Sequence, residues 1–196
     1  MRVVAGSVGG RTLRSPAGTT TRPTEERVRA ALFDRLGDAV AGVGVIDPYA
    51  GSGALGIEAL SRGAGRAVFV EVAPAALRAL RRNVGDLGLE ARARVLAEPA
   101  RRALDRLARE GARFELALID PPYALPWSQA LDGLACVLAP GAWVVVERAA
   151  RDPAPAHSPG LRPWRRARYG EVELSFWRYG QDEEDAADAG DLPRYV

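Results

Sequence analysis

Residues 43–56 read Val43-Gly44-Val45-Ile46-Asp47-Pro48-Tyr49-Ala50-Gly51-Ser52-Gly53-Ala54-Leu55-Gly56. A short apolar segment ends in an acidic residue, passes through a glycine-rich turn and continues as a helical pattern over residues 54–62. This order predicts a strand, a loop and a helix. Because Gly51 and Gly53 have no Cβ atom, the backbone can turn sharply there and approach a ligand closely. The loop is therefore predicted to hold a nucleotide-like molecule.

The acidic residues around the loop bear on the choice of ligand. Gly51, Gly53 and Gly56 match the dinucleotide-binding spacing G-x-G-x-x-G, and Glu71 ends the next apolar segment about 20 residues later, where a ribose-binding acid is expected. The carboxylate of Asp47 would repel a pyrophosphate and attract a cation, such as the amine and sulfonium of S-adenosylmethionine (SAM). A tight turn without a ligand remains the alternative.

Length and composition indicate one folded α/β domain. The chain has 196 residues, of which 47% are hydrophobic, and no apolar segment reaches the length of a membrane span. The basic start of the chain lacks the apolar core of a signal peptide, so a cytoplasmic protein is expected. The single cysteine, Cys136, cannot form an internal disulfide and is predicted to pack on the apolar side of a helix.

The charge is distributed unevenly. Residues 1–180 contain 26 arginines and 19 acidic residues, a formal charge of about +7, whereas the whole chain carries +2. A basic body suits a polyanionic partner, and the planar guanidinium group can donate two hydrogen bonds to one phosphate. All basic residues are arginine, and this exclusive usage can equally reflect coding bias.

Residues 1–23 form an arginine-rich, glycine-rich segment. Residues 3–5 and 12–13 could pair as a short hairpin that turns at Gly9-Gly10. Such a segment can follow a nucleic-acid backbone while its side chains reach phosphates. The predicted RNA-binding residues are Arg2, Arg11, Arg14 and Arg22. A solvated, partly disordered arm is the other interpretation.

The rest of the chain alternates between strand and helix patterns. Strands are predicted at residues 67–71, 93–98, 114–120 and 143–146, with helices at 74–88, 99–110 and 128–138. A hairpin is predicted from residues 162–169 and 171–179, after a proline-rich linker. Repeated βα units indicate a doubly wound, mostly parallel sheet with helices on both faces. Residues 181–196 are predicted to be an acidic disordered tail.

A second motif, Asp120-Pro121-Pro122-Tyr123, follows the predicted fourth strand. The carboxyl ends of strands in such a sheet line one crevice, so Asp120 should lie across from Asp47. Two consecutive prolines remove two N–H donors and leave acceptors, and a tyrosine adds a flat face. The motif therefore suits a base with an exocyclic amine, stacked and held by its edge. A proline turn with a packed tyrosine is the alternative.

These residues resemble the RsmD-type methyltransferases, which use SAM to methylate the exocyclic N2 of a guanine in bacterial 16S ribosomal RNA. The resemblance covers residues 1 to about 180, through Arg22-Pro23-Thr24, the segment from Asp47 to Arg62, Glu71 and Asp120-Pro121-Pro122-Tyr123. Two departures are Glu98, at a position where the family has Asp or Asn, and the acidic tail.

The resemblance implies a Rossmann-like, seven-stranded SAM methyltransferase sheet, closed by a C-terminal antiparallel hairpin. It implies a catalytic set of Asp120, Pro121, Pro122 and Tyr123, and a cofactor set of Asp47, Tyr49, Ala50, Gly51, Ser52, Gly53, Glu71 and Glu98. The expected partner is 16S rRNA in the small ribosomal subunit, with the protein acting as a monomer without a metal ion. The expected divisions are an arm (residues 1–23), a methyltransferase domain (24–180) and a tail (181–196).

Other functions share parts of this pattern. Amino-group methyltransferases that act on DNA adenine N6 or on protein glutamine have a similar Asp-Pro-Pro-Tyr motif. An NAD-dependent oxidoreductase would use the same glycines and Glu71 but would leave Asp120-Pro121-Pro122-Tyr123 without a role. A non-catalytic RNA-binding protein would account for the basic body alone.

Overall fold

A computed structural model describes residues 1–16, 23–122, 125–152 and 160–180. In this part of the chain, seven strands form one sheet in the order β3-β2-β1-β4-β5-β7-β6. The strands are β1 (Gly44–Asp47), β2 (Arg66–Val70), β3 (Ala93–Leu96), β4 (Phe114–Ile119), β5 (Leu138–Ala149), β6 (Leu161–Tyr169) and β7 (Val172–Tyr179). The α-helices are α1 (Pro23–Leu36), α2 (Ala54–Ser61), α3 (Pro74–Asp86), α4 (Ala100–Arg109) and α5 (Trp127–Ala130).

Strands β1 to β5 pair in parallel, and the hairpin of β6 and β7 adds to β5 in antiparallel fashion. The predicted fold class, a doubly wound and mostly parallel sheet with a C-terminal antiparallel hairpin, is confirmed. Chain order reverses beside β1, because β2 and β4 lie on its two sides. The carboxyl ends of β1 and β4 therefore meet at the switch point where such sheets bind ligands.

Helices cover both faces of the sheet. Residues of α1, α2 and α3 share one buried cluster with Val45, Leu116, Leu118 and Val145. Residues of α4 and of the segment 130–138 share the other cluster with Ile46, Ala117, Ile119 and Val146. Successive strand residues thus alternate between the two clusters, as expected for strands that are buried on both faces.

The N-terminal residues form an antiparallel pairing that packs onto the domain. Arg2 and Thr12 form a bridge, the amide of Val3 donates to the carbonyl of Arg11 over 3.0 Å, and the side chains of Val3 and Leu13 are buried. Gly6 turns with φ +86°, and a Cβ atom there would overlap the carbonyl of Ser61. The described part of the arm is therefore docked on α2.

A buried carboxylate holds this arm in place. Glu58 of α2 is fully buried, and its two oxygens accept from the amides of Val4 (2.7 Å) and Ala5 (3.0 Å). Two arginines balance its charge: the Nε of Arg62 lies 2.8 Å away and the Nε of Arg29 lies 3.6 Å away. Glu58 thereby replaces the backbone partners that the irregular arm lacks.

The helix predicted at residues 128–138 is wrong over most of its length. α5 ends at Ala130, a 3₁₀ turn covers Leu134–Val137, and Leu138 already belongs to β5. Gly133, at φ +79°, takes a left-handed conformation that a continuous helix cannot include. As a result Cys136 is exposed and is not packed as predicted.

Several predictions fall on residues outside the described ranges: Arg22, Tyr123, most of the linker and the acidic tail. Three predicted strands end earlier than expected, since β2 stops at Val70, β3 at Leu96 and β4 at Ile119. Glu71, Glu98 and Asp120 therefore lie in the loops that follow. In the part of the chain that is described, no helix is both long enough and apolar enough to cross a membrane.

Candidate active site

Acidic residues follow or end each of the five parallel strands. They are Asp47 at β1, Glu71 after β2, Glu98 after β3, Asp120 after β4 and Glu147 near the end of β5. Because parallel strands present their carboxyl ends on one edge of the sheet, these carboxylates line a single rim. The rim thus concentrates acidic groups, which a cationic ligand would help to keep ionised.

The three glycines of the loop have two different roles. Gly51 has φ +54°, and a Cβ atom built on it would meet no atom within 4 Å, so this side of the loop is open. At Gly53, with φ +88°, a Cβ atom would overlap the side chain of Leu80. At Gly56 it would overlap the ring of Phe69 on β2. Only Gly51 thus leaves room for a ligand to approach, while the other two allow close packing of α2.

Backbone donors orient the carboxylate of Glu71. One oxygen accepts from the amide of Gly51 over 2.8 Å, and the other accepts from the amides of Val72 and Ala73, both over 2.7 Å. Glu71 therefore holds the glycine loop to the end of β2. A carboxylate fixed in this way can still accept from ligand hydroxyls, since each oxygen has two lone pairs.

Asp47 is a buried acid with an unused oxygen. Its Oδ2 accepts from the amide of Gly56 over 3.2 Å, while its Oδ1 has no hydrogen-bond partner among the described residues. Loss of solvation raises the pKa of Asp47 to about 8, and the nearby charges of Asp120 and Glu71 act in the same direction. An unpartnered carboxylate oxygen at this position fits a ligand that brings an ammonium or sulfonium group.

The remaining loop residues are tied to the scaffold. The hydroxyl of Tyr49 donates to the carbonyl of Ala130 over 3.1 Å, and the amide of Ala50 donates to the carbonyl of Val70 over 2.9 Å. The carbonyl of Ser52 accepts from Asn83 of α3 over 2.9 Å. Any contact of these three residues with a cofactor would therefore use the groups that remain, which are chiefly backbone atoms.

Glu98 already has charged partners. Its carboxylate lies 2.7 Å from Arg106 and 3.9 Å from Arg102, both on α4. The side chain is largely buried, with 18% exposed. Its predicted contact with an adenine amine would have to share the carboxylate with Arg106.

Asp120, Pro121 and Pro122 line a cavity at the end of β4. The other lining residues are Leu125, Glu147, Arg148, Ala149, Asp152 and Val172. Although part of the Asp120 side chain reaches solvent, the surrounding protein desolvates the carboxyl group and raises its pKa to about 6, with the charge of Glu25 as a second cause. The cavity presents acceptor groups where the sequence motif predicts them.

Sequence reasoning missed Glu147. It lies in the same cavity as Asp120, one residue beyond the register pair of Ile119 and Val146. The available signal was its position directly after the apolar segment 143–146, which repeats the strand-then-acid pattern of Asp47 and Glu71.

The described arginines of the arm have partners on α3 and α1. Arg11 donates to the carbonyl of Asp86 over 3.0 Å, and the Nε of Arg14 pairs with the Asp86 carboxylate at 3.0 Å. Arg2 lies 3.8 Å from Glu26. The side chains of Arg2 and Arg14 stay largely exposed, at 67% and 58%, so both can still reach a polyanion.

Comparison with known proteins identifies the family. The family described as "Conserved hypothetical protein 95" matches residues 1–178. The chain belongs to this family. Curated relatives also confirm the resemblance of this chain to the RsmD-type methyltransferases. One is the "Putative rRNA methyltransferase YlbH" of Bacillus subtilis, 42% identical over 123 residues, 63% of this chain and 67% of the relative. Another is the "Ribosomal RNA small subunit methyltransferase D" of Escherichia coli K12, 37% identical over 63% of this chain and 60% of the relative.

Solved structures of similar proteins extend over more of the chain. A "Putative methyltransferase yhhF" from Escherichia coli superposes with a TM-score of 0.79 at 31% identity, covering 92% of this chain and 98% of the other. A hypothetical protein of Thermus thermophilus gives a TM-score of 0.76 at 35% identity, covering 90% and 98%. Proteins similar in sequence thus share nearly the whole of this chain's fold.

Proposed function

We propose that this protein transfers a methyl group from SAM to the exocyclic N2 amine of a guanine in 16S rRNA of the small ribosomal subunit. It acts in the cytoplasm as a monomer and without a metal ion. The observation that carries the proposal is the position of the Asp120-Pro121-Pro122 acceptors at the carboxyl end of β4, which neighbours β1 and its Asp47 at the switch point. The names of the curated relatives support the choice of rRNA.

The crevice suits SAM better than a dinucleotide. The unpartnered Oδ1 of Asp47 would accept from the amine of the methionine moiety, and Glu71 would accept from the ribose hydroxyls. Tyr49, Ala50, Gly51, Ser52 and Gly53 would line the cofactor, with Glu98 near the adenine. When bound, SAM would supply a methyl group on a cationic sulfonium and leave as a neutral thioether.

Asp120 and the carbonyl of Pro121 would orient the acceptor nitrogen. The lone pair of a guanine amine is delocalised into the ring, so the amine is a poor nucleophile. Accepting its N–H groups favours a pyramidal nitrogen whose lone pair points at the methyl carbon. As the N–C bond forms, the C–S bond breaks with its electron pair on sulfur. The proton that nitrogen then loses passes to Asp120 and on to solvent. Pro122 and Tyr123 would flank the base.

Incubation of unmodified small ribosomal subunits with the protein and methyl-labelled SAM tests the proposal. We expect N2-methylguanosine after digestion of the rRNA to nucleosides. Label in N6-methyladenine of DNA, or in protein glutamine, would overturn the substrate assignment. Calorimetric titration that detects NAD binding but no SAM binding would favour an oxidoreductase instead. Tight RNA binding without methyl transfer would favour a non-catalytic RNA-binding protein.

Replacement of Asp47 by asparagine should stabilise the free protein and weaken SAM binding. Its pKa is raised to about 8, so between about pH 4 and pH 8 the folded state holds a proton that the unfolded state releases, and stability falls as pH rises. Asparagine cannot ionise, so it removes this loss of stability, and its side-chain oxygen still accepts from the Gly56 amide. We expect a gain of ~0.5–2 kcal/mol at pH 7.5 in urea unfolding. Calorimetry should show SAM affinity reduced ~10-fold or more. A variant that is less stable and binds SAM normally would contradict this role.

Arg2, Arg11, Arg14 and Arg22 would contact rRNA phosphates. The exposure of Arg2 and Arg14 supports this role, as does the excess positive charge of residues 1–180. In this proposal residues 1–23 form an RNA-binding arm, residues 24–180 the methyltransferase domain and residues 181–196 an acidic tail. Asn83 links the arm to the cofactor loop, because its amide group bonds to the backbone of both Arg14 and Ser52.

Replacement of both Arg11 and Arg14 by alanine should weaken rRNA binding and flatten its dependence on salt. Each lost phosphate contact should reduce the slope of log K against log salt by ~0.7–0.9. Asp86→Ala is the matched control, since it removes the ion pair with Arg14 but keeps both arginines. Titration of 16S rRNA at several salt concentrations measures the slope. If Asp86→Ala weakens binding as much as the double variant does, these arginines only dock the arm.

A further inference from the structure

Glu147 lies beside Asp120 on the neighbouring strand. Ile119 of β4 and Val146 of β5 are register partners in a parallel pair, so the residues that follow them are neighbours across a strand spacing of ~4.8 Å. Both Asp120 and Glu147 line the cavity that Pro121 and Pro122 also line. The fold thus brings together two carboxyl groups that are 27 positions apart in the sequence.

The two carboxyl groups also lie on the same side of the sheet. Leu118 and Val145, two residues before each acid, belong to the buried cluster that α1 covers. Ile119 and Val146, one residue before each acid, belong to the opposite cluster. Since side chains alternate along a strand, Asp120 and Glu147 both point toward the side of α1.

Two adjacent acceptors match one edge of guanine. Guanine presents two neighbouring donors there, the N2 amine and the N1–H group. Adenine presents its N6 amine beside N1, which is an acceptor. A carboxylate facing N1 would therefore accept a hydrogen bond from the N1–H group of guanine. Facing adenine, the same carboxylate would find no donor, and the lone pair of N1 would repel it. Asp120 and the Pro121 carbonyl alone can accept from either amine.

We propose that Glu147 accepts a hydrogen bond from guanine N1–H and thereby selects guanine over adenine. This inference rests on the proposed function and assigns a specificity-determining residue to the same cavity. In this arrangement Asp120 orients the amine that receives the methyl group, and Glu147 accepts a hydrogen bond from the adjacent ring nitrogen.

The charges around Glu147 imply a pH dependence. The pKa of Glu147 is raised to about 8, chiefly by burial and then by the charges of Asp120 and Glu25, while Arg29 of α1 acts in the opposite direction. The carboxyl group of Glu147 becomes the charged acceptor that this role requires only after it has lost its proton. The kcat/KM value for guanine should therefore rise with pH through about 6, where Asp120 loses its proton, and through about 8, where Glu147 does, and level off only well above pH 8. In Glu147→Gln, whose amide oxygen accepts without titrating, the part of this rise that is centred near pH 8 should disappear.

A substrate altered at the N1–C6 edge of the guanine provides the direct test. After the methylated nucleotide has been mapped, subunits are reconstituted with rRNA that carries 2-aminopurine at that nucleotide. This base keeps the N2 amine, but it lacks O6 and presents an acceptor at N1. Loss of a contact to O6 alone would leave the ratio of the two substrates unchanged in the Glu147→Ala variant. For the wild-type protein we expect kcat/KM to fall ~10- to 150-fold relative to guanine, as for a lost hydrogen bond to a charged group. For Glu147→Ala we expect the guanine substrate to lose a similar factor, so that the two substrates become nearly equal.

Each outcome separates the two proposals. A purely structural role for Glu147 would slow both substrates equally and preserve their ratio, and this result would overturn the inference. Glu115→Ala, an acid on the exposed part of β4, is the control that should keep wild-type discrimination. SAM titration checks that each variant is folded. If the wild-type protein does not methylate guanine at all, the proposed function fails first and the inference fails with it.

Discussion

Replacement of Asp120 by alanine is expected to lower kcat/KM for methyl transfer to rRNA by ~10²–10⁴-fold while SAM affinity stays nearly unchanged. Asp120 lies in the cavity after β4 that is proposed to hold the substrate base, and none of the described hydrogen bonds links its carboxylate to the glycine loop. The loss should therefore appear in the transfer step and not in cofactor binding. Single-turnover transfer from labelled SAM and calorimetric titration measure the two quantities.

Two further variants test whether the loss of activity is specific to Asp120. Asp120→Asn keeps one acceptor oxygen, so it should retain more activity than Asp120→Ala if the main role of Asp120 is orientation. Asp105→Ala removes an acid that is paired with Arg101 on the exposed side of α4, and it should retain wild-type activity. An Asp120→Ala variant within about threefold of wild type would exclude this residue from the reaction.

Replacement of Glu58 by alanine is expected to destabilise the protein by ~3–5 kcal/mol. The change would leave the Arg29 guanidinium buried, with 4% of its side chain exposed, and without its carboxylate. It would also remove the acceptor for the amides of Val4 and Ala5. An uncompensated buried charge and two unsatisfied donors each carry a large desolvation cost. Urea unfolding gives the free energy directly.

An exposed ion pair is the matched control for this prediction. Glu110 pairs with Arg94 at 2.6 Å, but their side chains are 38% and 47% exposed. Glu110→Ala should therefore change the free energy of unfolding far less than Glu58→Ala does, because solvent screens an exposed pair. Glu58→Gln should fall between the two alanine variants, because it keeps an acceptor oxygen but loses the charge. A cost below about 1 kcal/mol for Glu58→Ala would show that the arm is not anchored through this carboxylate.

The sequence by itself determined the sheet class and the central loop. Apolar strand segments, each followed by an acid and a helical pattern, specify parallel βα units, and a left-handed Gly133 was the local feature that the helix prediction overlooked. Gly51, Gly53 and the Asp120-Pro121-Pro122 motif were recognisable because their conformational and hydrogen-bonding properties belong to the residues themselves. These properties do not depend on distant partners.

Only the tertiary structure decided which partners the charged side chains have. It brings Glu147 next to Asp120 through strand register, ties Glu98 to Arg106, docks Arg14 on Asp86 and places Arg29 of α1 against Glu58 of α2. Sequence periodicity reports which face of an element is apolar, but it carries no information on which residue of another element lies opposite. For a carboxylate, that neighbour and the local loss of solvent determine the pKa and hence the available chemistry.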